Sequence, residues 1–172
     1  RQNTSVFSEK KDKLVKDSSV FKLYAPSLLN RKDHESIALI KNDKHAILFD
    51  TGLAGSVESN INYLSEKLGS QKINAIIISH FHFDHIGGLN RLKDILSDNC
   101  IVYLPMNFNG YLNGNDDIEE LNTIRNSVIS SLIANGIKYV EVDTDRVISF
   151  GELNVKLFNS NANAYNYYSS IN

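Results

Sequence analysis

The sequence is poor in the residues that build disulfide-stabilised or thiolate zinc-binding proteins. Its 172 residues include one cysteine, Cys100, together with two prolines and no tryptophan. A single thiol excludes an internal disulfide and a multi-cysteine zinc site, and it leaves the redox compartment undetermined. Cys100 begins an apolar run, so we expect it to be a buried strand residue.

Long apolar runs and an excess of charge of one sign are also missing. The apolar runs are strand-sized, as in Ala75–Ile78, and none approaches the roughly 20 residues that a membrane-spanning helix needs. The net charge is only −2, so the chain lacks the basic surface of a typical nucleic-acid-binding protein. A nucleic-acid substrate is not thereby excluded, because a metal ion in an active site can hold phosphate without a basic surface.

The pattern along the chain predicts one domain between two polar ends. Residues 1–19 are expected to form a flexible lead-in, residues 20–158 the domain, and residues 159–172 a loop or tail rich in Asn, Ser and Tyr. The chain begins at Arg1 rather than Met, which slightly favours an exported protein whose leader has been removed. The sequence gives no prediction of the oligomeric state.

Apolar periodicity predicts alternating strands and helices around a mixed sheet, which is an α/β sandwich. Strands are expected at 20–25, 37–40, 45–49, 73–78, 100–104 and 138–142, with a hairpin over 146–158. Helices are expected at 57–68, 89–96 and 117–135. The strand 73–78, which is apolar apart from Asn74, should be covered on both faces. The predicted core comprises Leu48, Ile76, Ile77, Ile78, Leu92, Val102, Leu121, Val128 and Leu132.

Three of the five histidines lie close together in residues 79–88, which read Ser-His-Phe-His-Phe-Asp-His-Ile-Gly-Gly. This segment follows the apolar strand, where open α/β sheets place their sites. In an extended loop, residues two apart point the same way. We therefore expect His80 and His82 to reach one metal ion, while Phe81 and Phe83 pack inwards.

The next two residues of the segment, Asp84 and His85, are adjacent and are expected to diverge towards a second metal ion. Imidazole and carboxylate donors without thiolate suit Zn²⁺, and also Fe or Mn. Two ions about 3.5–4 Å apart can share a bridging hydroxide. Gly87 and Gly88 allow a tight turn into the next element. The alternative, that the histidines merely end a strand, explains poorly why groups that can become cationic lie beside a carboxylate.

The motif His80-x-His82-x-Asp84-His85, followed by two glycines, resembles the signature of the metallo-β-lactamase superfamily. Asp50-Thr51-Gly52, at the end of a preceding strand, resembles its upstream Asp-x-Gly element. The likeness extends roughly from Phe21 to Phe158. Within the superfamily the chain is similar to bacterial cell-surface phosphorylcholine esterases and to the hydrolase domain of DNA-uptake competence channels. Their Asp-Ser/Ala-Ile segment resembles Glu35-Ser36-Ile37.

This resemblance implies a metallo-β-lactamase-type αβ/βα sandwich, of which the chain contains the first αβ half and one hairpin. One face of the sheet is therefore expected to remain uncovered. The later bridging Asp and the final His of the family have no counterpart, and Asn159 stands where many relatives have a third His for the first metal.

The resemblance also implies a role for each residue of the site. His80 and His82 would bind the first metal, and Asp84 and His85 the second. Asp84 would in addition orient the attacking water, which makes it the predicted catalytic residue. The predicted supporting residues are Asp50, Gly52, Gly87 and Gly88. Asp50 would lie just behind the site, although it could equally be a turn former at the end of a strand.

The sequence thus predicts a metal-dependent hydrolase that uses two divalent ions, zinc by preference and Mn or Fe as alternatives. The expected substrate is a small molecule or a phosphoester, including a phosphodiester. The choice of a phosphoester rests on the subfamily likeness. The alternatives are a β-lactam or thioester hydrolase of the same superfamily, and a non-catalytic metal-binding fragment.

Overall fold

The computed structural model describes residues 16–17, 21–26, 36–106, 118–143 and 145–157. Most of the expected lead-in, the expected tail and residues Glu35 and Asn159 lie outside these ranges. The predicted domain boundaries therefore stay predictions.

Within the described residues, seven strands form one mixed sheet in which the spatial order follows the chain order. The first four strands pair antiparallel, and the fourth to the seventh pair parallel. The strands are β1 (Lys16–Asp17), β2 (Lys22–Tyr24), β3 (Ala38–Lys41), β4 (Ala46–Phe49), β5 (Ile73–Ile77), β6 (Leu96–Pro105) and β7 (Lys138–Val142). Parallel neighbours require crossover connections, so helical segments must cover the sheet between these strands.

The turn between β3 and β4 is closed by Asn42, as the Asn-Asp-Lys triplet predicts. Its side-chain oxygen accepts hydrogen bonds from the backbone N–H groups of Lys44 and His45, at 2.9 and 2.8 Å. This turn fixes the register in which Leu39 faces Leu48. The carboxyl end of β4 is thereby positioned for the residues that follow it.

Three α-helices lie in the described ranges: α1 (Val57–Leu68), the short α2 (Phe83–Ile86) and α3 (Ile118–Ala134). Helix α1 buries Val57, Leu64 and Leu68, in the spacing that the sequence predicts, and ends at Gly69, whose φ is 60°. None of the described helices is both long and apolar enough to cross a membrane.

The helix expected over 89–96 is wrong. Two 3₁₀ turns, Leu89–Arg91 and Lys93–Ile95, occupy that stretch, and Leu96 already belongs to β6. Leu89 and Leu92 are buried all the same. The apolar spacing thus predicted the buried residues correctly. However, only residues 89–95 lie between the glycine pair and the start of β6. Short 3₁₀ turns fill such connectors where a full α-helix does not fit.

Each face of the sheet forms an apolar cluster with the elements that cover it. The first cluster includes Leu64 and Leu68 of α1 and Leu121 and Leu132 of α3. On the other face, Ile148 and Leu153 belong to the hairpin of β8 (Arg146–Phe150) and β9 (Leu153–Leu157). The expectation of an uncovered face is therefore wrong in part, because this hairpin packs against Ile47, Ala75, Ile77 and Tyr103.

The core prediction is confirmed for every residue except one. Val128 is half-buried and packs against the first cluster rather than lying inside it. Strand β5 is buried from both sides, because Ile76 belongs to the first cluster and Ile77 to the second. Cys100 is buried as well, and burial raises the pKa of its thiol to about 12.

Truncating the centre of β5 should destabilise the protein strongly. Ile76 is completely buried, so Ile76→Ala is expected to lower the free energy of unfolding by about 2–5 kcal/mol through lost apolar contact and a cavity. Val147→Ala removes an aliphatic side chain that is 56% exposed, and it should change that free energy by less than about 0.5 kcal/mol. Urea unfolding measures both. Equal losses in the two variants would contradict the assignment of β5 to the core.

Candidate metal centre

The residues of the motif form a compact site at the carboxyl end of β4 and β5. Asp50 directly follows β4, and its backbone N–H donates to the Ile77 carbonyl at 2.9 Å. Ser79 and His80 follow β5, and the Ile78 N–H donates to the Tyr103 carbonyl at 3.0 Å. Backbone hydrogen bonds thus hold both segments in place where the parallel strands end.

Asp50 is the residue that ties the site together. Its Oδ1 accepts the backbone N–H of Ser79 at 2.7 Å, and its Oδ2 accepts the Ser79 hydroxyl at 2.7 Å. The same Oδ2 lies 2.7 Å from Nδ1 of His85. Asp50 has a φ of 54°, in the left-handed region that few non-glycine residues occupy. The carboxylate therefore reaches both segments from a backbone conformation that is itself constrained.

The contact with Asp50 determines how His85 can act. A carboxylate accepts, so Nδ1 of His85 carries a proton, and in the neutral ring Nε2 keeps its lone pair. Nε2 lies 3.5 Å from Oδ2 of Asp84. A histidine that donates one ring N–H to a carboxylate and presents the other nitrogen is the usual arrangement of a metal-binding imidazole.

A second donor pair is formed by His80 and His82. Nε2 of His80 lies 3.1 Å from Nδ1 of His82, and the two rings meet edge to face. The His80 ring is also 3.9 Å from the His85 ring, measured between centroids. All three imidazoles and the two carboxylates therefore belong to one cluster.

The separations within the two pairs fit metal coordination. Donor atoms about 2.0–2.1 Å from a tetrahedral ion lie about 3.3 Å from each other. The observed 3.1 Å for His80 and His82 and 3.5 Å for Asp84 and His85 bracket that value. Within the described part of the chain, no group of three such side chains is already arranged to hold one ion. The described residues form two pairs of side chains whose atoms could act as metal donors.

Burial and neighbouring charges shift the pKa values of two imidazoles in the cluster. Burial, followed by the charges of His85 and His82, lowers the pKa of His80 from 6.5 to about 4. Burial also acts to lower the pKa of His85, but the hydrogen bond and charge of Asp50, with the charge of Asp84, outweigh it and raise that pKa. His80 is therefore neutral near pH 7, which is the form that binds a metal ion.

Two expectations for the motif are wrong in detail. Phe81 is buried, at 1% exposure, but Phe83 is 64% exposed and does not pack inwards. Asp84 and His85 converge rather than diverge. Both differences have one cause: residues from Phe83 onwards form the helical turn α2, so the alternation of an extended loop ends at His82.

Hydrogen bonds and two close backbone contacts join the Asp50-Thr51-Gly52 turn to the motif. The N–H and the hydroxyl of Thr51 both donate to the His85 carbonyl, at 2.7 and 3.0 Å. A Cβ on Gly88 would overlap the Thr51 carbonyl oxygen, and one on Gly87 would overlap the backbone nitrogen of Ala54. The glycine pair is thus needed for the close approach of two backbones, and the element it leads into is a 3₁₀ turn.

The structure brings together every residue that the sequence assigned to the site. Asp50, His80, His82, Asp84 and His85 form the side-chain cluster described above. Gly52, Gly87 and Gly88 lie where the two backbones meet. The metal-binding and catalytic roles of these residues stay predictions.

Sequence reasoning missed two residues of this network. Ser79 was part of the motif but received no role, although it bonds Asp50 twice and its hydroxyl lies 2.9 Å from Nδ1 of His80. Thr51 received no role either. The only signal available was their position next to the motif residues, because a hydroxyl between two strand ends has no spacing pattern of its own.

Comparison with known proteins finds a likeness to one superfamily over part of the chain. Residues 31–102 match the sequence model of the metallo-β-lactamase superfamily. The chain is 32% identical over 73 residues to the hydroxyacylglutathione hydrolase of Dictyostelium discoideum, covering 42% of this chain and 26% of that protein. It is 25% identical over 115 residues to a metallo-β-lactamase fold-containing protein of Sulfurisphaera tokodaii, covering 66% and 40%.

A solved structure extends the likeness over more of the fold. The apo state of the chemotaxis sensor ODP from T. denticola superposes with a TM-score of 0.55 at 17% identity, covering 86% of this chain and 52% of that one. Residues 31–102 are thus similar to the metallo-β-lactamase superfamily, and the chain shares part of the fold of the chemotaxis sensor. It spans 26% and 40% of the length of the two curated relatives.

The close contact at Gly88 should be sensitive to a single methyl group. Gly88→Ala is expected to destabilise the protein by about 1–3 kcal/mol, because the new Cβ would overlap the Thr51 carbonyl oxygen. Gly55→Ala is the matched control, because a Cβ there meets no atom within 4 Å. Thermal unfolding of both variants, followed by circular dichroism, tests this. A Gly88→Ala protein as stable as the Gly55→Ala control would show that the contact is not close.

The pKa of His80 makes a second prediction for the metal-free protein. Because that pKa is about 4 in the folded state and 6.5 ordinarily, the unfolded state binds more protons between these values. Stability contributed by neutral His80 is therefore full above pH 6.5 and is lost as the pH falls towards 4. His85 acts in the opposite sense, because its raised pKa adds stability that is lost as the pH rises above 6.5.

Replacing His80 should consequently weaken the loss of stability on acidification. The unfolding free energy of His80→Asn, measured in urea at a series of pH values from 4 to 7 with chelator present, should fall less steeply with acid than that of the wild type. His45→Asn, at the start of β4 and outside the cluster, is the control. Parallel pH profiles for wild type and His80→Asn would contradict the lowered pKa.

Proposed function

We propose that the chain forms the metal-binding part of a metal-dependent hydrolase. The observation that carries the proposal is the pair of donor sets, His80 with His82 and Asp84 with His85, at separations of 3.1 and 3.5 Å. The carboxylate of Asp50 behind His85 supports the second set. A histidine cluster serving only to end a strand has no need of such a carboxylate.

In this proposal His80 and His82 hold one divalent ion, and Asp84 and His85 hold a second. Zinc is the proposed metal, with manganese or iron as alternatives that the same donors accept. When bound, the ions supply Lewis acidity and lower the pKa of water to a range useful at neutral pH. Ligands beyond these two pairs would come from outside the described residues.

The protein's own groups have separate tasks in the reaction. Asp50 keeps the proton on Nδ1 of His85, which directs the lone pair of Nε2 outwards. Asp84 directs Oδ2 towards His85, and we propose that its carboxylate accepts a hydrogen bond from the attacking water and orients it. The buried Phe81 anchors the loop between the two donor pairs.

A phosphoester or phosphodiester is the proposed substrate. Its support is the likeness of the motif and of Glu35-Ser36-Ile37 to phosphorylcholine esterases and to the hydrolase domain of competence channels. A thioester is the second candidate, because the curated relative from Dictyostelium discoideum is a hydroxyacylglutathione hydrolase. Bis-p-nitrophenyl phosphate, a hydroxyacylglutathione thioester and nitrocefin, assayed side by side, separate the phosphoester, thioester and β-lactam activities.

The 172-residue chain should bind metal with low affinity or in part. Losing ligands from a site opens coordination positions to water, and the described residues supply two ligands for each ion. Elemental analysis after dialysis, followed by competition with a chromogenic chelator, measures the stoichiometry and the affinity. Tight binding of two zinc ions would show that the chain holds ligands beyond these pairs.

Asp84 should be needed for turnover rather than for folding. Asp84→Asn keeps the size of the side chain but removes the charge that helps hold the metal and orient the water. We expect hydrolysis by the protein to fall by several orders of magnitude at saturating metal, while the circular dichroism spectrum is unchanged. Ser59→Ala, on the exposed side of α1, is the control. Hydrolysis near the wild-type rate in Asp84→Asn would remove Asp84 from the mechanism.

A further inference from the structure

Asn60 occupies a position in α1 where the packing alone would favour an apolar residue. Its side chain is 1% exposed, and neither Oδ1 nor Nδ2 has a hydrogen-bond partner among the described residues. Its neighbours along the buried face of α1 are Val57 and Leu64. Burying an amide without hydrogen bonds costs stability, so the stability of the fold does not explain why this residue is polar.

What Asn60 touches is the turn that carries Asp50. A Cβ added to Gly52 would lie 2.5 Å from Nδ2 of Asn60, so the amide fills the space that a side chain at residue 52 would take. Gly52 has a φ of 70°, a conformation that favours glycine. Helix α1 and the turn can therefore approach this closely only because residue 52 is glycine.

The turn is held on its other side by the metal-binding loop. Thr51 bonds the His85 carbonyl twice, and Gly88 lies against the Thr51 carbonyl oxygen. Residues 50–52 are thus held between the Asn60 amide and the motif. A shift of the turn would move Asp50, and with it the carboxylate that aligns Nδ1 of His85.

We propose that Asn60 is a positioning residue for the metal centre. Its amide presses on Gly52 and sets the place of the Asp50-Thr51-Gly52 turn, so that Asp50 holds His85 with Nε2 turned towards Asp84. This inference rests on the metal-binding part of the proposed function, because it assigns Asn60 an effect on the second donor pair. The polar side chain is kept here for the site, at a cost to the stability of the fold.

The two roles that Asn60 could have give opposite results on replacement by leucine, which has a similar shape. If Asn60 served only the fold, loss of stability would be the main effect. If it positions the site, Asn60→Leu should unfold at the same temperature as the wild type or higher, because an unbonded amide has been removed. Its zinc affinity should fall about tenfold or more, as happens when groups behind a metal ligand are changed.

The experiment measures the melting temperature of the metal-free chain and its zinc affinity by competition with a chromogenic chelator. Asn60→Ala is a second variant that removes the amide without adding bulk, in case leucine does not fit. Leu64→Ala, one turn along the same buried face of α1, is the control that lowers stability without touching Gly52. We expect Leu64→Ala to melt lower and keep its zinc affinity, and both Asn60 variants to lose affinity.

The dependence on Asp50 is tested by a double-mutant cycle. If Asn60 acts through Asp50, replacing Asn60 in an Asp50→Asn background should lower zinc affinity little further. Unchanged zinc affinity in both Asn60 variants would overturn the inference, and so would fully additive losses in the cycle. If Asp50→Asn and His85→Ala also leave zinc affinity unchanged, the metal site itself is wrong, which separates failure of the proposed function from failure of this inference.

Discussion

The candidate site depends on one carboxylate that joins the ends of two parallel strands. Asp50 follows β4, Ser79 follows β5, and both oxygens of the carboxylate are used between Ser79 and His85. Neighbouring parallel strands end at the same edge of the sheet, so two segments separated in the chain by the crossover through α1 meet there. A single acidic residue can then orient a histidine 35 positions later.

Much of the fold could be predicted from the sequence because buried residues recur at regular intervals along strands and helices. The apolar alternation of the strands and the spacing of Val57, Leu64 and Leu68 in α1 identify the core. The same signal misled for residues 89–96, since buried leucines in two 3₁₀ turns and in a helix have similar spacing. Periodicity reports which residues are buried, whereas the length available between elements decides what kind of turn buries them.

The clustering of the site residues could be predicted because their spacing is local, but the geometry of the cluster could not. His80 and His82 follow the rule for an extended chain, and Phe83 and Asp84 depart from it where α2 begins. The sequence assigned no role to three residues near the site: Ser79, Thr51 and Asn60. Ser79 and Thr51 form hydrogen bonds with residues distant in sequence, and Asn60 packs against Gly52. Such contacts arise from the pairing of β4 with β5 and the approach of α1, and no spacing along the chain records them.

The sequential order of the strands has a consequence for folding during synthesis on the ribosome. From β1 to β7 each new strand joins the edge formed by the one before it, so the sheet extends in one direction without inserting a strand between two others. Each strand that leaves the ribosome finds its partner already present, because sequential strands are neighbours in the sheet. The two segments of the site come together when β5 docks on β4, and this pairing does not require β6 or α3 to be in place. The histidine cluster can therefore assemble early in the nascent chain, while much of the surrounding core has not yet folded.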